Sequence, residues 1–245
     1  MINDLLLLSG NDIPFETAQL VIHQPTLKEI AFIGEESFYT GCEFLRFSKN
    51  NLTEEDRIHL EDKSNFEILM ILLREKNIVI QKNKMCIFLV LTLLFPNYNI
   101  RIKNQYISLI SVSDNQEYKI DNNNFEDFKE ILNSIFYFNY NKNSNEFNPQ
   151  GELSKKIADK FKKRHQILSE KDKNIKVSIL SRYASILSLG LKIDINTVLN
   201  YTVYQIMDQF QRFGLKTQYD FYIQAKLAGA QDLKEVDDWM KDIYT

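Results

Sequence analysis

Three histidines, two cysteines and three carboxylate clusters are the side chains in this sequence that could do chemistry. His23, His59 and His165 are the candidates for proton shuttling or imidazole ligation. None has a second His, a Cys or a carboxylate at the spacing that gathers ligands around one ion, so no metal site is expected. Cys42 and Cys86 lie in apolar surroundings. Without a secretory signal they read as reduced core thiols, with a disulfide between them the open alternative. Glu35-Glu36, Glu54-Glu55-Asp56 and Asp237-Asp238 could supply paired carboxyls for general acid–base work. That work needs two carboxyls at a fixed separation in a cleft. Placement at helix starts or on charged faces is the simpler reading, because a helix N-terminus favours negative charge. No GxSxG, GxGxxG or GxxxxGK[ST] pattern occurs, and seven glycines leave little material for a phosphate-cradling loop. No catalytic residue and no cofactor is expected, and the protein reads as a non-enzyme.

The elements that would hold such side chains read as α+β, predominantly α. With 17 Phe, 12 Tyr and an apolar fraction of 44%, a sizeable core is available, and four prolines favour helices over a turn-rich barrel. Leu5–Leu8 and Gln19–His23 read as strands, paired through a turn over Ser9–Pro14. Thr26 followed by Glu29 has capping-box spacing and starts a helix near Leu27, which Gly34 interrupts before a second segment to Phe47. Thr53 is a candidate cap, and Ser64 starts a stronger helix. Ile78–Ile80 reads as a short strand or link. Asn83–Phe95 is apolar nearly all round and predicts a central buried helix, ended by Pro96. Its apolar run is about half the ~20 residues that a bilayer span requires. The leucines at 5–8 lack a preceding basic residue and do not read as a signal peptide.

Tyr98–Ile102, Gln105–Val112 and Glu117–Ile120 predict a three-stranded antiparallel meander. Asp121–Asn124 caps a helix through Phe138. Residues 139–151 are Asn-rich and read as a linker, dividing a mixed domain over 1–138 from an all-helical one over 152–245. In the latter, a basic helix carries the stripe Leu153, Ile157, Phe161 and Leu168. Val177–Leu189 is a second helix, stopped by Gly190. Asp194 or Asn196 caps a third, whose inward face is Val203, Ile206, Met207 and Phe210 and which Gly214 stops. Thr217–Leu227 and a last helix capped by Asp232 follow.

The final helices carry more large aromatic and Met side chains than a small bundle buries. Such surfaces suit binding to apolar partner helices. Tyr204, Tyr222, Trp239 and Met240 are the residues expected to contact a partner. Lys155–Lys176 could bind phosphate groups, but its interspersed acids dilute the charge, and a net charge of −3 gives no general pull towards nucleic acid or anionic membrane.

Two stretches add a resemblance. They are VIHQPTLKEIAFIGEESF (Val21–Phe38), and NYTVYQIMDQFQRF (Asn200–Phe213) with AKLAGAQDLKEVDDWMKDI (Ala225–Ile243). Together they resemble tail assembly chaperone-like proteins of phages of low-GC Gram-positive bacteria. The resemblance covers both ends and about a third of the length. It implies a factor of the bacterial host cytoplasm that holds the apolar helices of a tape measure protein soluble while the tail tube polymerises. The family brings no catalytic motif, and the meander over residues 98–120 has no counterpart in it. A structural tail or connector subunit, or a nucleic-acid-associated phage protein using the basic helix, are the alternatives. Oligomeric state is left open.

Overall fold

The computed structural model describes residues 2–49, 62–74, 78–137 and 179–230, with the backbone alone at 78–81. The fold is α+β: short helices and two small antiparallel sheets, then helices to the end of the described chain.

The chain opens on helix α1 (Asp4–Ser9), where a strand was expected over Leu5–Leu8. Asn3 accepts the Leu5 N–H at 2.8 Å and caps the start, and Gly10 ends the helix at φ +71°. Four consecutive leucines carry no period-two signal, so the caps decide. The hairpin partner of β2 (Leu20–Ile22) is therefore β1 (Ile13–Phe15), a segment that overlaps the expected turn. Ile13 faces Ile22 and Phe15 faces Leu20. All four are buried while Pro14 and Val21 point outwards, the alternation a half-buried strand requires.

Helix α2 (Leu27–Ile33) starts at the expected capping box. Thr26 Oγ1 accepts the Glu29 N–H, and Glu29 accepts the Thr26 N–H at 2.7 Å. Gly34, at φ +81°, separates it from α3 (Glu35–Leu45). Ser64 and Glu67 form a second capping box ahead of α4 (Asn65–Leu72). The segment around Thr53 lies outside the described residues.

Helix α5 (Ile78–Leu94) absorbs the strand or link expected at Ile78–Ile80. It packs along α3. Cys86, Ile87, Val90, Leu91 and Leu94 are buried, following the helical repeat. The opposite side is open: Met85 is 57% and Phe88 39% exposed, so this helix is not buried all round.

The meander forms as expected, from β3 (Tyr98–Ile102), β4 (Ile107–Ser111) and β5 (Glu117–Ile120), in the order β3-β4-β5. Helix α6 (Phe125–Ile135) follows a turn in which Asn124 accepts the Asp121 N–H and donates to Lys119 O.

The C-terminal helices divide differently from expectation. Helix α7 (Ile179–Leu191) runs through Gly190. Asp194 caps only a short α8 (Ile195–Leu199), through the Asn196 N–H. A single 25-residue helix, α9 (Val203–Leu227), runs straight through Gly214. Glycine weakens a helix by roughly 1 kcal/mol and does not break one that tertiary packing holds. The cap of α9 is Thr202, in a third capping box with Gln205, spaced like the one at Thr26.

The linker expected over 139–151, the expected basic helix and the helix expected after Asp232 lie outside the described residues. Leu180, Ala184, Leu187, Val198, Val203, Tyr204 and Ile206 belong to the same buried cluster as the N-terminal elements.

Candidate functional site

His23 does not stand alone. The hairpin register that pairs Ile13 with Ile22 continues one residue outwards and sets Asp12 opposite His23. Asp12 Oδ1 lies 3.0 Å from His23 Nδ1, and Glu29 Oε1 lies 3.2 Å from Nε2. The signal in the sequence was the alternation of Ile13 and Phe15, masked by the turn-like neighbours Asn11 and Pro14.

Both ring nitrogens face ionisable carboxylates, which when charged only accept hydrogen bonds. Each ring nitrogen lies within hydrogen-bond reach of a carboxylate, so the ring is held from both sides. The cluster therefore acts as a clasp between the hairpin and α2. Burial pushes the Glu29 carboxyl up, but the Thr26 N–H and hydroxyl and the nearby His23 outweigh it. The net result lies below the ordinary value. A depressed folded-state value means that stability is fully present above the ordinary glutamate range. It is lost as pH falls through Glu29's own lower value. Glu29→Gln should flatten the acid limb of the stability–pH curve relative to wild type, as read by urea denaturation at a series of acidic pH values. An unchanged acid limb would remove Glu29 from the acid response.

A second junction ties the C-terminal helices to the N-terminal half. The capping residues Thr26 and Thr202 form an isolated antiparallel bridge, with the Leu27 N–H donating to Tyr201 O at 3.0 Å. Gln205 Nε2 donates to Leu8 O at 2.7 Å. Glu35 Oε1 accepts the N–H groups of Ile179 and Leu180 at the start of α7. This places Glu35 in a helix-capping role, as its position favours.

Cys42 and Cys86 are both buried and free, as read from their surroundings. Burial raises the Cys42 thiol far above its ordinary range, opposite to the shift a reactive thiolate needs. Among the described residues no group of three or more His, Cys, Asp and Glu side chains is placed to hold a metal ion. Among them, too, no helix is long and apolar enough to cross a membrane.

The four residues expected to contact a partner are not brought together among the described residues. Tyr204 is 3% exposed and lies in the core. Its ring meets Tyr137 edge-on at 5.5 Å, and its hydroxyl lies 3.5 Å from Asp4 Oδ1. Position 204 faces inwards because Val203, Tyr204 and Ile206 together form the face that α9 buries. Tyr222 is half-buried far along the same helix, with Lys226 Nζ 5.1 Å from its ring centre. Trp239 and Met240 lie outside the described residues.

What α7 to α9 do show is apolar surface. On α7, Leu180, Ala184 and Leu187 turn into the core. Ile179, Ile186 and Leu189 occupy the opposite side, and Leu189 is 80% exposed. They are spaced seven and three residues apart, so they form one stripe. Ile195 on α8 and Phe221 and Leu227 on α9 are also exposed. Composition could not locate this stripe, because the inward and outward sides of α7 carry the same residue types.

Residues 171–244 match the family model of the YomV second domain, a phage-associated family. The matched segment contains all of α7, α8 and α9. No curated protein and no solved structure matches the chain.

Proposed function

We propose that this protein is a non-enzymatic phage assembly factor of the host cytoplasm, a tail assembly chaperone that shields apolar helices of the tape measure protein. The carrying observation is the outward stripe Ile179, Ile186 and Leu189, lying within the segment that matches a phage-associated domain. An exposed apolar helix face that costs nothing to the core when altered is what a helix-binding surface requires. The stretches Val21–Phe38, Asn200–Phe213 and Ala225–Ile243, which resemble tail assembly chaperone-like proteins, support the same reading. They also include the bridge that fastens α9 to α2.

Co-expression with the tape measure protein tests it. A soluble complex should elute on sizing, and the tape measure protein alone should aggregate. Equal solubility with and without this chain, and no complex, would sink the reading. Mass spectrometry of mature particles should not find the chain; finding it there at stoichiometric levels would make it a structural subunit instead.

Ile186→Asp with Leu189→Asp should abolish the complex while changing stability by no more than about 1 kcal/mol, the sum of two surface substitutions. Tyr222→Ala serves as a separate probe of the far end of α9. Retention of the complex by the double aspartate variant would move the surface elsewhere.

A further inference from the structure

The outer edge of the three-stranded sheet has the chemistry to receive another strand. Strand β3 is at the end of the order β3-β4-β5. Its pairing with β4 fixes which backbone groups are used. The Lys103 N–H donates to Tyr106 O, and Asn97 O accepts the Val112 N–H. In an antiparallel ladder every second residue bonds across, so residues 97, 99, 101 and 103 of this line face β4. The N–H and C=O groups of Ile100 and Ile102 therefore point away from it, and among the described residues no backbone or side-chain group bonds to them.

Beside this edge lies the open side of α5. Lys84, Met85, Phe88 and Ile102 line a groove of about 310 Å³. Met85 and Phe88 supply its apolar wall. The rim is positive. Arg101 is exposed on the outer face of β3, and neither it nor Lys84 forms an ion pair among the described residues. Lys103, the cation just past the end of β3, is already paired with Glu117 at 2.7 Å.

We propose that the β3 edge and this groove bind an extended segment of a partner protein, apolar at alternate positions and acidic between them. Unused strand backbone supplies the main-chain hydrogen bonds of strand addition. Alternate side chains of the incoming strand fall on one face, so apolar residues reach Met85 and Phe88 while the intervening ones lie beside Arg101. Lys84, at the groove wall, adds positive charge on the groove side of the strand. Charge complementarity selects an acidic segment over a basic one and over a second copy of β3, whose own Arg101 would be brought to the same rim. The proposal is independent of the helix-binding stripe on α7.

The test uses the full chain and a short synthetic peptide that alternates glutamate with valine or isoleucine. N-methyl groups at its glutamates block its second edge and prevent self-association. Binding should slow hydrogen exchange at the Ile100 and Ile102 amides about tenfold or more, since these donors become bonded. A lysine-for-glutamate peptide should not bind, and Arg101→Glu with Lys84→Glu should reverse that preference. Ile102→Pro should abolish binding while leaving the β3–β4 ladder intact, because its lost N–H faces outwards. If that variant misfolds by circular dichroism, the charge-reversal pair carries the test alone. Unchanged exchange at saturating peptide, or equal binding of the two peptides, would overturn the proposal. So would protection of both amides that rises with protein concentration in the absence of peptide, which would make the occupant a second copy.

Discussion

Phe128→Ala should lower the free energy of unfolding by about 3–5 kcal/mol, the range for removing a fully buried phenylalanine. Phe128 has no measurable exposure and sits on α6, where its ring meets three others. Phe15 of β1 lies 5.8 Å away, Phe95 just beyond the end of α5 lies 6.1 Å away, and Phe125 of the same helix 6.4 Å. A single side chain thus joins the hairpin, the central helix and α6. Alanine leaves a void that each of these elements must enter to close, and they are anchored from different directions. Because domains are stable by only about 5–15 kcal/mol, the loss is a large share of the total. Chemical denaturation gives the number, with Phe32→Ala as the comparison. Phe32 is 84% exposed, so its truncation should change stability by no more than about 0.5 kcal/mol. Near-equal effects of the two variants would mean that the aromatic cluster does not hold these elements together.

That cluster shows what could and could not be read from the amino-acid order. The inward face of α6 was legible, because Phe125, Phe128, Ile131, Leu132 and Ile135 fall on one helical side and all are buried. The capping boxes at Thr26 and the helix start at Ser64 were legible, because three-residue reciprocal spacing is a local property. The meander was legible from its alternation. Where local signals competed, tertiary context decided. Leu5–Leu8 has no periodicity, so Asn3 and Gly10 settle the element. Gly214 looks like a stop but lies within α9, since a glycine signals a helix end only when packing does not continue past it, whereas Gly190 stands one residue before the end of α7. Gly190 allows Phe213 to approach closely: a β-carbon there would come within 2.3 Å of the Phe213 ring. The Thr202–Gln205 box has the same spacing as the one at Thr26, but Asp194 offers a competing cap signal eight residues earlier.

The candidate surface was less legible than the fold. Residue type points to Tyr204 and Tyr222, yet type cannot separate a tyrosine on the inward face of a helix from one on its outward face without the phase. The phase of α9 is set by its true start at Thr202. The clasp around His23 was hidden for a related reason. Asp12 reaches it across a hairpin, a partnership invisible until the register of Ile13 with Ile22 is known. The β3 edge and the open side of α5 depend on which side of the helix packs on α3, and a sequence that is apolar nearly all round does not carry that information.

Gly41→Ala should be the more instructive of the two core substitutions, because its sign opposes helix propensity. In the interior of α3, alanine should gain about 1 kcal/mol over glycine. Against that, a β-carbon at residue 41 would lie 2.5 Å from Cys86 O, 2.6 Å from Val90 Cγ2 and 2.9 Å from the Cys86 carbonyl carbon. The valine methyl can turn aside, but the Cys86 backbone belongs to α5 and cannot. Helix α3 must therefore move off α5 along the whole contact, which also carries Phe38, Cys42 and Leu45 in the core. Overpacking of this kind costs about 1–3 kcal/mol and more when backbone is the obstacle, so the net expectation is destabilisation of about 2 kcal/mol. Gly214→Ala supplies the opposite sign from the same chemical change. Nothing lies within 4 Å of its added β-carbon, in the middle of α9, and it should stabilise by about 1 kcal/mol. Val90→Ala in the Gly41→Ala background should recover only part of the loss, since the carbonyl contact persists. Full recovery would show that the methyl, and not the α5 backbone, is what keeps residue 41 a glycine.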